Sequence, residues 1–280
     1  MKIVFIGSGN VATHLSIALK EAGNQIIQIY SRTIQNSQIL AEKVGAEAIN
    51  DINYIKRDAN LYIFSLKDDI LPLIVNQMPV TDGIWVHTGG SVSIELFNSD
   101  NPSIISDLNI QKIPTTPKND KSETAFRIKK YGVIYPLQTF SKNRSLDFSK
   151  VPIFIEGNSF ETEGFLTELA KKISDDVKLL KSDQRKYLHL SAVFANNFSN
   201  HMYTLSHEIL KKAGVPFDVL KPLIAETAAK VMEIEPLDAQ TGPAVRLDEK
   251  ILNKQLELID DNEVREIYRH ISKSINRFAK

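Results

Sequence analysis

The run Gly7-Ser8-Gly9-Asn10-Val11-Ala12 restricts the fold of this chain more than any other feature. It follows the β-branched and aromatic segment Ile3–Ile6 directly. It opens a stretch with helical spacing, Val11, Leu15, Ala18, Leu19 and Ala22, which stops at Gly23. A short apolar run bounded by glycine reads as a buried strand, and the 3.6-residue period reads as an amphipathic helix with a glycine stop. A second strand, Ile26–Tyr30, comes next. In that context Gly7 permits the tight turn. Gly9 lets the main chain approach a pyrophosphate that a side chain would block, and Ala12 allows close helix–sheet contact. The free amides at the helix start then face an anion. The six residues are therefore expected to bind a dinucleotide, the alternative being a glycine turn kept for packing.

The end of the second strand suggests which dinucleotide. An NAD site usually places Asp or Glu there to accept from the ribose hydroxyls, whereas this chain has Ser31-Arg32-Thr33. Arg32 can hold a 2′-phosphate through charge-assisted bonds and can stack on adenine, with Ser31 and Thr33 donating to phosphate oxygens. NADP is expected, with NAD the less favoured cofactor. Ser65 and Leu66, at the end of a later strand, are expected to border the nicotinamide ribose, and Asp68 to cap the helix that follows.

Strand and helix signals alternate through the first half. After Ile26–Tyr30 come a helix Ile34–Val44, a strand Leu61–Ser65, a helix Asp69–Gln77 and a strand Ile84–His87. That order implies parallel pairing with right-handed crossovers and hence a doubly wound α/β sheet. Asn98–Lys130, rich in Asn, Asp, Ser, Lys and Pro, reads as a long excursion. Strands at Gly132–Tyr135, Ile153–Glu156 and Val177–Leu180 and a helix Ser159–Ile173 follow. From Ser182, an expected N-cap, the pattern is helical: Gln184–Ala213 as one long helix, then Phe217–Glu233, Glu249–Ile259 and Glu263–Phe278. The expected organisation is a Rossmann-like NAD(P)-binding domain over residues 1–157, with residues 98–130 inserted, and a mainly helical domain over 158–280 for substrate and dimer contacts.

Composition removes several classes. The 280 residues hold 34 basic and 34 acidic side chains and no cysteine. Zero net charge argues against a nucleic-acid partner, since such proteins usually carry a basic excess. Without cysteine there are no disulfides, iron–sulfur clusters or thiolate zinc sites. No His/Asp/Glu cluster has metal spacing, so no metal is expected. No apolar run approaches the roughly 18 residues that span a bilayer. Met1–Gly7 lacks the basic leader and long apolar centre of a secretory signal, so a cytoplasmic protein without membrane contact is expected.

The candidates for chemistry are few. His87, in His87-Thr88-Gly89-Gly90-Ser91 after a strand, lies where open α/β sheets bind ligands and can transfer a proton; a structural histidine is the competing reading. On the long helix His189, Val193, Asn196, Asn200 and Thr204 share a face by α-helical spacing, with Asn197 beside it. His189, Asn196 and Asn197 are expected to orient substrate or the nicotinamide carboxamide, an exposed polar stripe being the alternative. Arg246, in Thr241–Asp248, is an expected anion clamp, against a salt bridge to Asp248.

These pieces resemble the NADP-binding domains of pyrroline-5-carboxylate reductases, prephenate dehydrogenases and deazaflavin-dependent NADP reductases. They are closest to bacterial NADP oxidoreductases that pair a Rossmann-like domain with a helical domain of unknown function. The matching residues are Gly7–Leu15, Tyr30–Thr33, His87–Ser91, Tyr135-Pro136-Leu137-Gln138-Thr139-Phe140, His189–His201 and Thr241–Asp248. The resemblance implies a 6-phosphogluconate-dehydrogenase-like helical domain, a homodimer formed through it, and a small-molecule substrate. Leu247 departs from the pattern, which has glycine between Arg246 and Asp248. The expected function is NADP-dependent hydride transfer to or from a small carbonyl, imine or hydroxy compound in the interdomain cleft. The alternative is a non-catalytic NADP-binding sensor or scaffold.

Overall fold

The computed structural model describes residues 1–98 and 128–279. Most of the expected excursion Asn98–Lys130 lies outside the described residues. The chain forms two compact units, Met1–Val193 and Phe194–Lys280. The first is built on an eight-stranded sheet in the order β3-β2-β1-β4-β5-β6-β7-β8. Its strands are β1 (Lys2–Ile6), β2 (Gln25–Tyr30), β3 (Glu47–Ile49), β4 (Leu61–Phe64), β5 (Ile84–His87), β6 (Tyr131–Pro136), β7 (Ile153–Gly157) and β8 (Val177–Leu179). All neighbouring pairs run parallel except β6 and β7. The doubly wound α/β expectation therefore holds, with one antiparallel step. Strand order reverses between β1 and β4, and ligands of open α/β sheets bind beyond the carboxyl ends of the strands at such a switch.

Period-two burial separates the two faces. Ile3 and Phe5 of β1 join a core with Leu15 and Leu19 of helix α1 (Asn10–Glu21) and Leu40 and Val44 of α2 (Ile34–Val44). Val4 and Ile6 join Tyr62, Phe64, Trp85 and Phe97 on the other face. Each side chain of a buried parallel strand is thus fully occupied, which is why these runs read as continuously apolar.

The structure corrects the reading in four places. Residues 158–193, expected in the second domain, belong to the first unit. β8 pairs with β7 in register Ile153↔Val177, and helix α4 (Phe160–Ala170), capped by Ser159, contributes Leu166 and Leu169 to the same core. The short edge strand β3 was not foreseen. The helix expected at Asp69–Gln77 is only α3 (Leu71–Val75), with Pro72 in its first turn; proline is accepted there and not in a helix interior. Finally, the long helix is interrupted. α5 (Ser182–Ala192) and α6 (Ser199–Lys212) flank a π-helical segment, Val193–Phe198. A π turn carries an extra residue, so positions on either side are offset by about 100°. The single polar face expected for His189, Asn196, Asn200 and Thr204 is broken there.

The second unit continues with α7 (Lys221–Glu233), α8 (Pro236–Ala239), α9 (Glu249–Glu257) and α10 (Asn262–Phe278). Asn276 Nδ2 donates to the carbonyls of Ala244 (3.3 Å) and Val245 (3.1 Å), tying the irregular link to α10. Leu247 in that link sits at φ 52°, the left-handed region that favours glycine. No helix among the described residues is long and apolar enough to cross a membrane.

Two glycines of the first unit make opposite predictions. A Cβ at Gly132 would lie 2.4 Å from the Glu156 carbonyl oxygen and 2.6 Å from a Leu166 methyl, whereas one at Gly164 meets nothing within 4 Å. Gly132→Ala is expected to lower stability by about 1–3 kcal/mol through overpacking. Gly164→Ala, inside α4, is expected to raise it by about 0.5–1 kcal/mol through helix propensity. Thermal unfolding of the two variants checks both signs.

Candidate functional site

A groove of about 260 Å³ lies at the switch point. Its floor is Gly7, Ser8 and Gly9; its walls are Tyr30, Ser31, Arg32, Thr33 and Asn36 on one side and Ser65, Leu66, Lys67, Ile70 and Ile74 on the other, with Lys142 completing it. Asn10, Val11 and Ala12 open α1 beside this floor. Gly7 has φ +116°, its N–H donates to the Tyr30 carbonyl at 2.9 Å, and a Cβ there would lie 2.2 Å from the Ser65 carbonyl oxygen. Position 7 thus accepts only glycine. Gly9 caps α1 with no side-chain hydrogen bond, and the first turn holds no acidic residue, so the orphan amides and the positive end of the helix dipole are left for an external anion. Arg32, Lys67 and Lys142 line the groove and no carboxylate does. The donor set fits a dinucleotide bearing several phosphates. The predicted cofactor residues Gly7, Ser8, Gly9, Ser31, Arg32, Thr33, Ser65 and Leu66 come together here; Lys142 was missed, because it lies far along the chain, after β6.

A second cluster lies at the ends of β5 and β6. The Tyr135 hydroxyl is 2.9 Å from His189 Nδ1. Burial pushes the Tyr135 pKa up to about 12, so the hydroxyl keeps its proton at ordinary pH. Gly90 fits between them: a Cβ there would meet His189 Nδ1 at 2.5 Å and the Tyr135 ring at 2.9 Å. The Ser91 hydroxyl donates to Asp68, so Asp68 braces this loop instead of capping α3, whose N-cap is Ile70.

Beneath the pair is a buried ionic network. Arg185, with no exposed surface, meets the Glu156 carboxylate, donates to the Val92 carbonyl at 2.6 Å and contacts the Ser182 hydroxyl at 3.0 Å. Ser182 Oγ donates to Glu156 at 2.6 Å and accepts from the Ile94 amide at 2.9 Å. Ser182 is thus not the helix cap that its position suggests; Lys181 holds that place. The signal for this network was Glu156 itself, a lone charge inside an apolar strand.

His87 is fully buried against Phe97. Its Nδ1 accepts from the Gly89 amide at 3.2 Å, which puts the ring proton on Nε2, and Nε2 finds no partner in hydrogen-bond geometry. Burial first, and the nearby Arg185 charge second, lower its pKa to about 3. A neutral ring sealed from solvent is a poor proton donor, which favours the structural reading of His87.

Asn196 and Asn197 lie in the π segment of the second unit, exposed, with 3.3 Å between their side-chain amides. Arg246 is exposed in the same unit. It forms no ion pair with Asp248, which instead caps α9 through the Ile251 amide at 3.2 Å. No group of metal-binding side chains occurs among the described residues.

Comparison with known proteins adds the following. Residues 2–84 match the family described as NADP oxidoreductase, coenzyme F420-dependent, and residues 151–275 match a domain of unknown function, DUF2520. A solved structure from Bacteroides fragilis, assigned as an NADP oxidoreductase, is 42% identical; 99% of this chain and 98% of that one are covered, with a TM-score of 0.83. Protein TM1727 from Thermotoga maritima is 20% identical over 99% of both chains, with a TM-score of 0.73. The 1-pyrroline-5-carboxylate reductase of Streptococcus pyogenes is 14% identical over 98% of both, with a TM-score of 0.60. The last two are likenesses of fold. A search of curated proteins found no match.

Two outcomes follow from the buried groups. The unfolded imidazole of residue 87 takes up a proton near pH 6.5, whereas the folded one does so only near 3. Its contribution is therefore complete above pH 6.5 and is lost as the pH falls, by at most about 1.4 kcal/mol per unit. Urea denaturation between pH 7 and 4.5 should show a shallower loss in His87→Gln than in the native chain; equal slopes would contradict neutral burial. Arg185→Met should cost about 3–5 kcal/mol by stranding Glu156, and Glu156→Leu in the same chain should recover most of it.

Proposed function

This chain belongs to the family of NADP oxidoreductases to which the Bacteroides fragilis protein is assigned, and on that premise we propose that it transfers a hydride between NADP and a small carbonyl, imine or hydroxy compound. The observation that carries the reading is the groove at the switch point, with three cations, a bare helix start and no carboxylate. A site for NAD alone would be expected to carry an acid at the end of β2 for the ribose hydroxyls, whereas this one carries Arg32 between two hydroxyls. The fold shared with a pyrroline-5-carboxylate reductase favours a C=N substrate among the alternatives.

Bound NADP supplies the hydride chemistry at its nicotinamide C4. The protein's part is to orient the partners and move one proton. Tyr135 is the proposed donor to the substrate heteroatom, because its hydroxyl is held by a hydrogen bond to the His189 imidazole, which can pass a proton on to it. His189, half-buried, is the proposed link between that hydroxyl and solvent. His87 is assigned a positioning role. Asn196 and Asn197 are retained as orienters of substrate and Arg246 as an anion clamp.

A homodimer formed through the helical unit belongs to the same reading. Its support is a groove of about 350 Å³ lined by Met202, Leu205, Ile209, Ile267 and Ile271, among others. Leu223 and Met232 are also left 63% and 84% exposed on the same unit, side chains that a second copy would cover.

The tests separate binding from turnover. Arg32→Ala should weaken NADPH at least tenfold, consistent with the ~1.5–3 kcal/mol of a charge-assisted hydrogen bond, and leave NADH nearly unchanged by calorimetry. NADPH oxidation screened against cyclic imines and 2-oxo acids should find a substrate. With it, Tyr135→Phe should lower kcat by about 10²–10⁴ without changing NADPH affinity. Tight NADPH binding without turnover of any such compound would favour a sensor. Light scattering should give twice the chain mass.

A further inference from the structure

We propose that Lys142 joins Arg32 in gripping the 2′-phosphate of NADP. The inference rests on the reading of the groove as an NADP site and adds a specificity residue to it.

Lys142 lines the groove with Ser31, Arg32 and Thr33, yet reaches it from the segment between β6 and β7. That segment is fastened to α1 just before the lysine. Asn10 Nδ2 donates to the Phe140 carbonyl at 2.8 Å, and His14 Nε2 lies 3.0 Å from the Ser141 carbonyl oxygen. Phe140 is 9% exposed, stacked on Phe148 with 6.0 Å between ring centroids and packed 5.3 Å from the His14 ring. The backbone leading into residue 142 is therefore held on α1, and the flexible part is the lysine stem alone, which limits the entropy lost on binding. The ammonium itself is exposed and forms no ion pair among the described residues. With no carboxylate in the groove, nothing competes for it there.

The phosphates of the ligand divide among these groups. The diphosphate bridge is served by the amides at the start of α1 and needs no side-chain charge. Lys67 stands on the wall formed with Ile70 and Ile74, after β4 and so across β1 from the end of β2 that carries Arg32. The 2′-phosphate is close to a dianion at neutral pH, and Arg32 alone balances half of it. Lys142 supplies the second charge.

Calorimetry with NADPH, NADH and adenosine 2′,5′-bisphosphate tests this on the full chain. Lys142→Ala should weaken NADPH and the bisphosphate about tenfold, at the low end for a charge-assisted contact because the site is open to solvent. It should leave NADH within twofold, and Lys142→Arg should restore binding. The native chain should also show a steeper salt dependence for NADPH than the alanine variant. Unchanged NADPH affinity in Lys142→Ala, with the native chain binding normally, would overturn the role of Lys142 and leave the cofactor site standing. An equal loss for NADH would move the lysine to the diphosphate and overturn the proposal as well. If the native chain bound neither nucleotide, the reading of the groove itself would fall.

Discussion

The contact between Arg185 and Glu156 holds together the elements of the first unit that carry the Tyr135–His189 pair. It joins α5 to β7, and through Val92, Ser182 and Ile94 it also fixes the chain that leaves β5. Burying two charges costs several kcal/mol per ion, and only a complete set of hydrogen bonds offsets that. Here the two terminal nitrogens of the guanidinium reach a carboxylate, a carbonyl and a hydroxyl, and the carboxylate also accepts from Ser182, while the buried Nε is left without a partner, so the offset is incomplete. The result is directional. His189 lies one turn beyond Arg185 on the same face of α5, so a helix anchored at 185 presents its imidazole to Tyr135. The fixed positive charge also helps keep the adjacent His87 neutral.

Electrostatics at the switch point work the other way, by leaving charge unbalanced. The whole chain has as many acids as bases, yet Arg32, Lys67 and Lys142 surround a groove with no acid in it. Global neutrality and local polarisation are compatible because screening confines surface charges to within roughly 8–10 Å of themselves. Composition argued against a large polyanion and was silent about a small one.

The first βαβ unit was legible because each of its requirements is local. The turn needs Gly7, the helix needs a 3.6-residue period, and the sheet needs alternating burial; all three are written in adjacent residues. The second half of the site was not. Tyr135, His189 and Arg185 meet only because β6, β7 and α5 are neighbours in the folded unit, and no spacing rule connects them. The extent of the first unit is non-local in the same way, since parallel pairing of β8 with β7 holds that strand and the helix before it on the sheet. The polar face drawn through His189 and Asn196 assumed an uninterrupted α-helical period, and one π turn is enough to break it. The departure at Leu247 proved informative, since that position is left-handed and an L residue there bears the strain that glycine avoids.

Gly90 carries a consequence of its own. The space between the Tyr135 ring and the His189 imidazole on one side and the loop after β5 on the other is one hydrogen atom wide. Anything larger forces the loop outward and takes with it Ser91 and the carboxylate that it holds. The Tyr135–His189 pair and the walls around it therefore form one mechanical body, in which a methyl group added to the loop would be felt as a change in the spacing of that pair.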